Sequence, residues 1–456
     1  MTDNTNDFSR GAMWKNILSM AIPITAAQLV QILYNLVDRI YIGHLRNDAS
    51  LALTGVGLTF PIISLISAFS LLFSSGGSPL CSIERGRGNH KKAEEIMCNC
   101  FTLLLITGLF LMLFFYVFMR PVLYAFGASD STYYYAKIYL VIYLTGTIFS
   151  VISSGMNMFI NSQGFGKIGM FTTLIGAICN IILDPLFIFV FGLGVRGAAI
   201  ATVISQAISA AWVFIFLTGR KSIYHISLKK MKIQNPKLIL RITGLGLSGF
   251  TMAVTNSLTQ IVCNSTLQKW GGDLYVGSMT IINSVREIFT LVTQGITQGA
   301  IPVLGYNYGA AKYKRVRKGI AFMSTLTTAY TLLAWLCVHT FSTFFIGLFT
   351  KESDLIAVAV PSLRIFFGGF FMMSLQFSGQ STFVALGCSK RAIFFSLLRK
   401  AIIVVPLTII LPYHLGVNGV FYAEPISNYI GGTACFVTMM LTLWPKLKET
   451  DDKILL

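Results

Sequence analysis

Apolar and polar residues fall in long blocks along this chain. Many stretches of about 20 or more residues carry at most one charge and are separated by short polar loops. A helix rises about 1.5 Å per residue, so roughly 20 apolar residues cross the ~30 Å hydrocarbon core of a bilayer. The blocks predict spans at 14–41, 51–77, 96–119, 131–157, 168–191, 197–219, 241–268, 275–301, 318–341, 355–380, 392–412 and 416–444. Twelve spans make an all-α integral membrane protein with both ends on the same side.

Composition agrees with this reading. Of 456 residues, 54% are hydrophobic and 11% charged, with mean hydropathy +0.71. Soluble domains are about 25% charged. Thirty-six Phe against 17 acids exclude a disordered chain, and the apolar blocks exclude an ordinary cytosolic enzyme. The net charge of +18 would suit nucleic acid only as one continuous basic face, and here it is dispersed over loops.

The loops after even-numbered spans carry Arg85, Arg87, Lys91, Lys92, Lys167, Arg220, Lys221, Lys229, Lys230, Lys232, Lys237, Lys312, Lys314, Arg315, Arg317, Lys318, Lys390 and Arg391. Arg10, Lys15, Lys446, Lys448 and Lys453 add to that face, against only Arg46, Arg120, Arg196, Lys269 and Lys351 opposite. The positive-inside bias puts both termini in the cytoplasm, with the chain in the cell inner membrane. The polar first 13 residues and the long first apolar block argue against a cleaved signal peptide. Eight scattered cysteines without a CxxC pair argue against a zinc site or a disulfide framework.

The chain contains one unit written twice. Gly194-Val-Arg-Gly-Ala-Ala-Ile-Ala-Thr-Val-Ile-Ser and Gly416-Val-Asn-Gly-Val-Phe-Tyr-Ala-Glu-Pro-Ile-Ser match at six of twelve positions, 222 residues apart. At an offset of 223, Gly76, Pro79, Gly86, Gly164 and Lys167 fall on Gly299, Pro302, Gly309, Gly387 and Lys390. Six spans per repeat give both halves one orientation, as in parallel-repeat transporters that bind substrate between their lobes. The expected organisation is an N-terminal tail (1–13), an N-lobe (14–219), a basic linker (220–240), a C-lobe (241–444) and a C-terminal tail (445–456), with the lobes around a central cavity.

A charge inside a span costs about 2.5–3.5 kcal/mol on insertion scales, so each one calls for a reason. Four acids sit there: Asp38, Asp184, Glu287 and Glu424. Asp184 follows Asn180 by four residues, on one helix face, and precedes Pro185, which frees a carbonyl one turn back. Desolvation disfavours the charged carboxylate, so such a group can take and release a proton near neutral pH. In the second repeat Pro185 aligns with Pro406 and Asp184 with Val405, which confines this feature to the first half. Asp38 has Asn35 on its face and Tyr34 one turn back, an arrangement suited to an acid turned into a polar cavity. Glu287 adjoins Arg286, so an ion pair and cation recognition are both open. Glu424 aligns with Thr202 and offers a second-half substrate contact. Arg39, Lys137, Arg364, Arg399 and Lys400 also lie in or near spans.

Two motifs mislead. Gly192-Leu-Gly194-Val-Arg-Gly197 matches a dinucleotide fingerprint but has no βαβ unit around it, and the sequon at Asn264 lies inside a span. The absence of a Walker A sequence leaves an ion gradient or passive transport as the energy source, and no catalytic set or cofactor site is legible.

Tyr34-Asn-Leu-Val-Asp38, Asn180-Ile-Ile-Leu-Asp184-Pro185, Gln298-Gly-Ala-Ile-Pro302, Gly305-Tyr-Asn-Tyr-Gly-Ala310 and the Gly-Val-x-Gly repeat together resemble the multidrug and toxic compound extrusion (MATE) family, in particular its MepA-like bacterial branch. The resemblance runs from about Trp14 to Trp444. It implies a V-shaped pair of six-helix lobes that export amphipathic organic cations and drugs by H⁺ or Na⁺ antiport. It also implies an ion-coupling cluster at Asp38, Asn180, Asp184 and Thr202, with Na⁺ able to use the oxygens of the first three. Asn256 stands where some relatives carry an acid. Tyr34, Asn35, Asn157, Asn256, Arg286, Glu287 and Glu424 are the candidate substrate-cavity residues. A monomer suffices. A lipid-carrier flippase of the same superfamily is the alternative, kept open by Arg39, Lys137, Arg286 and Arg364.

Overall fold

The computed structural model describes residues 7–43, 49–227 and 235–448, all helix or connecting turn. The first half contains α1 (Met13–Gly43), α2 (Ala49–Gly57), α3 (Phe60–Gly86), α4 (His90–Ala125), α5 (Asp130–Thr145), α6 (Thr147–Ser162), α7 (Gly166–Pro185) and α8 (Val195–Thr218). The second begins with α9 (Pro236–Gly309) and α10 (Tyr313–Thr340), then α11 (Ser342–Gly347), α12 (Ser353–Phe367) and α13 (Met373–Ala385). It closes with α14 (Ser389–Leu397), α15 (Val405–Ile410), α16 (Pro412–Leu415), α17 (Asn418–Ser427) and α18 (Thr433–Thr442). Among the described residues, ten helices are long and apolar enough to cross a membrane, or eleven if the bent pair α5–α6 is one span. The protein is an all-α, multi-pass membrane protein.

The expected single span over 131–157 needs correction. It is two helices that meet at Gly146 with a 57° bend, and the second runs on to Ser162. Glycine there allows a close approach to the Val203 and Gln206 side chains, which would have to shift to admit a Cβ. The equivalent span of the second half also breaks, at Gly368 and Gly369, where the Pro425 backbone comes against Gly369. Residues 241–301 show the opposite departure. α9 runs through 74 residues and changes direction at Gly272 (φ 69°). It starts before 241 because Asn235 caps it, accepting from Leu238 N at 3.2 Å, and Pro236 suits its first turn.

Turn geometry repeats with the sequence. Gly164 and Gly387 both have positive φ, as do Gly194 and Gly416. Ala311 (φ 54°) is the one described non-glycine residue in this region, 223 positions after Gly88 (φ 73°).

The chain divides into two compact units. Of the described residues, the first contains 26–43, 49–85, 89–227 and 235–246, and the second contains 7–25, 86–88 and 247–448. Each unit thus includes the opening turns of a helix whose remainder lies in the other. Within the first, Gly76 of α3 packs on the Ile242 and Gly246 backbone, and Gly246 on Leu72. Within the second, Gly299 and Gly295 pack on Ala21 and Thr25 of α1. No side chain fits at these backbone approaches.

Each unit also holds the segment leading into that helix. In the first, the buried Gln163 carbonyl accepts from Ser222 Oγ (3.0 Å), Ile223 N (2.7 Å) and Tyr224 N (3.1 Å). In the second, the Arg315 guanidinium donates to the carbonyls of Phe8 (2.9 Å), Arg10 (3.0 Å) and Gly11 (2.9 Å) and to Asn307 Oδ1 (2.9 Å). Asp7 closes this clasp. Its burial acts to raise the carboxyl pKa, but hydrogen bonds from Ser9 and Tyr306 and the nearby Arg10 outweigh it and hold Asp7 below the usual carboxylate value.

Candidate functional site

A cavity of about 610 Å³ opens within the first unit. α7 and α8 bring its key groups together. Asn180 Nδ2 donates to Asp184 Oδ1 (3.3 Å), one turn further along α7, and to Thr202 Oγ1 (3.4 Å) on α8. Thr202 donates in turn to its own helix at Ala198 O (2.9 Å). Asp184 is fully buried, and a π-helical segment, Leu186–Val190, follows Pro185 at once. From α1, the buried Asp38 carboxyl comes within hydrogen-bond reach of Asp184. Tyr34 of α1 and Tyr139 of α5 close on the Thr202 hydroxyl.

Two carboxyls can hydrogen-bond each other only when one carries a proton, because a carboxylate has no donor. Asn180 Oδ1 and Asp184 Oδ2 are buried without a hydrogen-bond partner among the described residues. These oxygens, with those of Asp38 and Thr202, form a donor set that suits a proton or a hard cation such as Na⁺. Among the described residues no group of three or more His, Cys, Asp or Glu could hold a metal ion.

Other predicted residues are distributed unequally. Tyr34 and Asn157 line the cavity, and Asn157 Nδ2 donates to Gly169 O at 3.1 Å. The Asn35 and Arg39 side chains lie outside the described residues. Asn256 and Glu287 are exposed, and Glu287 makes no ion pair among the described residues. Glu424 is buried between Arg399 and Lys400, so its carboxylate is engaged by cations of its own unit.

The structure adds Gln31, Tyr139, Tyr143, Ser205 and Gln206 to the wall. The Tyr139 and Tyr143 rings stack at 6.0 Å, and Gln206 Nε2 donates to Tyr143 OH at 3.4 Å. Their signal in the sequence is a helical stripe: Thr202, Ser205, Gln206 and Ser209 recur every three or four residues on an otherwise apolar helix.

A model of the MatE family matches residues 23–186 and again 248–410, together more than half of the chain. The chain belongs to the MatE family. That makes it a membrane transporter and bears out the resemblance read from its motifs. The two matched stretches also fall one in each half of the internal repeat. The multidrug export protein MepA of Staphylococcus aureus (strain MW2) is 23% identical over 437 residues, covering 96% of this chain and 95% of MepA. MepA of Staphylococcus saprophyticus is 22% identical over the same lengths. Among solved structures, a MATE protein in the bent conformation superposes with a TM-score of 0.92 at 22% identity, covering 99% of each chain. The outward-facing conformation of a multidrug resistance MATE transporter gives 0.90 at 21% identity, with 99% and 100% covered. A Pyrococcus furiosus MOP-superfamily transporter, described by the reverse polarity of its binding pocket, gives 0.91 at 21%, with 99% of each covered.

Proposed function

We propose that this chain is a secondary active multidrug exporter that moves amphipathic organic cations out of the cytoplasm in exchange for H⁺ or Na⁺. The observation that carries the reading is the buried Asp38–Asp184 carboxyl pair, bridged through Asn180 to Thr202 beside a polar, aromatic cavity. The proposed architecture is twelve spans in two parallel six-helix lobes, counting α5–α6 as one span and α9 as two, split at Gly272. The linker is 220–235, ending where α9 begins at Pro236, the termini are cytoplasmic, and one chain is the working unit.

With one proton between them, the carboxyls carry a single negative charge. Losing it, the pair attracts a cationic drug toward Tyr34, Tyr139 and Tyr143, whose ring faces favour cations. An incoming H⁺ or Na⁺ returns the pair to a single negative charge and weakens that attraction, favouring release. Drug and coupling ion thus compete for one charge, which is what antiport requires.

The test is ethidium or norfloxacin efflux from proteoliposomes under imposed pH or Na⁺ gradients. Efflux driven by one gradient names the ion, and inactivity under both sinks the exporter reading. The rival flippase reading relied on basic residues turned inward. Lys137 and Arg364 are exposed, which leaves Arg286 as its remaining described support.

A further inference from the structure

The internal repeat lets the walls of the first unit's cavity be located in the second. Ile63, Gly176, Thr202 and Gln206 line that cavity. An offset of 223 takes Ile63 and Gly176 onto Arg286 and Arg399, and an offset of 222 takes Thr202 and Gln206 onto Glu424 and Asn428. Packing supports this register. Gly176 lies against Ser209 in the first unit, and Arg399 lies against Gly431, the counterpart of Ser209, in the second. Where the first unit has an apolar residue, a glycine, a hydroxyl and an amide, the second has mostly charge.

Lys400 Nζ donates to both Glu424 oxygens, at 3.0 and 2.9 Å. Arg399 donates to Glu424 Oε1 at 3.2 Å and to Asn428 Oδ1 at 2.6 Å. These four side chains are buried. Arg286, from α9, is close enough to interact electrostatically with Glu424, Arg399 and Lys400, and its guanidinium lies over the Phe366 ring at 6.0 Å. Its Nε is buried with no hydrogen-bond partner among the described residues. Among the described residues three cations therefore face one carboxylate, which Lys400 and Arg399 already occupy. Glu287, next along the helix, is exposed and does not offset the excess.

Uncompensated charge within a membrane span is costly and marks function by default. An arginine fork matches the planar oxygens of carboxylate and phosphate groups. Arg399, Lys400 and Asn428 also sit on π-helical segments, Leu398–Val404 and Asn428–Gly432, a widening frequent at functional sites.

We propose that the second unit binds an oxyanion, a carboxylate or phosphate group, at Arg286 with Arg399 and Lys400 behind it. Glu424 holds the two rear cations in place and leaves Arg286 to meet the ligand. The inference does not depend on drug export, because it concerns binding within one unit.

Thermal unfolding of the full chain in detergent tests it, in sodium benzoate, sodium phosphate or sodium chloride at matched ionic strength. The expected result is a saturable rise in midpoint with benzoate or phosphate relative to chloride. Arg286→Gln should weaken the apparent affinity at least tenfold, and Arg286→Lys should keep part of it. Glu424→Gln, which removes the competing carboxylate, should tighten binding several-fold, a gain that a merely structural ion cluster would not give. A response to benzoate alone assigns the carboxylate of an organic solute. A response to phosphate, shared by short-chain phosphatidylglycerol but not phosphatidylcholine, assigns a lipid headgroup; one confined to phosphate assigns the free ion. Equal midpoints in the three salts, or an undiminished response in Arg286→Gln, would overturn the proposal. If Glu424→Gln fails to fold, the two Arg286 variants still decide.

Discussion

The amide of Asn180 donates to Asp184 one turn ahead on its own helix and to Thr202 on the next, at 3.3 and 3.4 Å. One side chain thus ties the buried acid to a second helix, and its own Oδ1 has no hydrogen-bond partner among the described residues. The acid and its bridge have separable roles, which substitutions can distinguish.

Asp184→Asn keeps the size of the side chain but removes the exchangeable charge. Gradient-driven efflux should fall at least tenfold, with the protein still folded, in proteoliposomes loaded with ethidium. Asp38→Asn should act alike, and the double variant should be little worse than either single one because the carboxyls work as a pair. Full activity in either single variant would refute the shared-proton mechanism.

Tyr143→Phe removes the hydroxyl that accepts from Gln206. A net hydrogen bond is worth about 0.5–1.5 kcal/mol. The apparent KM for efflux should rise roughly two- to tenfold while the ion dependence of transport stays as in the wild type. A changed ion dependence would move Tyr143 from the cavity wall to the coupling site.

Gly246→Ala sets a methyl group against the Leu72 backbone, where no neighbour can rotate aside. Overpacking of this kind costs about 1–3 kcal/mol. The midpoint of thermal unfolding should drop by several degrees. Gly244→Ala, just over half a turn earlier in open surroundings, should be close to neutral or slightly stabilising.

Ala311→Gly should stabilise the chain by up to about 1 kcal/mol, since left-handed backbone strains any residue with a Cβ. Gly88→Ala should destabilise by a similar amount. Paired unfolding curves check both, and opposite signs from those expected would break the equivalence of the two turns.

Arg315→Ala removes three charge-assisted hydrogen bonds from the residue 8–11 segment and one from Asn307. Limited proteolysis near residue 10 should speed up at least tenfold. Because the Asp7 pKa is lowered in the fold, the contribution of Asp7 is complete above its unfolded value of about 3.8 and fades as pH falls through the lowered one. The wild type should therefore become protease-sensitive in the same region at strongly acid pH.

Much of this was legible in the sequence because the bilayer writes strong signals. The succession of apolar spans and the grouping of Asn180 with Asp184 follow from hydropathy and helical spacing, and the repeat from glycines and prolines that recur at offsets of 222 and 223. The approach of Asp38 to Asp184 did not follow, since it depends on how α1 packs against α7 within the first unit. Span breaks at Gly146 and Gly369 were missed for a related reason. A glycine inside an apolar block reads as continuous hydrophobicity until the neighbour that needs its missing side chain is known. Arg399 and Lys400 stand out in the sequence as costly charges, but their convergence on Glu424 depends on the packing of the second repeat in three dimensions.

The exchange of opening turns between units bears on how such a chain can be cut. A break in the polar stretch before Asn235 separates the two sequence repeats but not the two compact units, because residues 13–25 belong to the second and 236–246 to the first. Either half made alone would lack a strip of its own packing surface and bare a glycine-lined groove, at Gly76 in one and at Gly295 and Gly299 in the other. Each repeat therefore depends, for a strip of its packing, on the opening turns of a helix that begins the other.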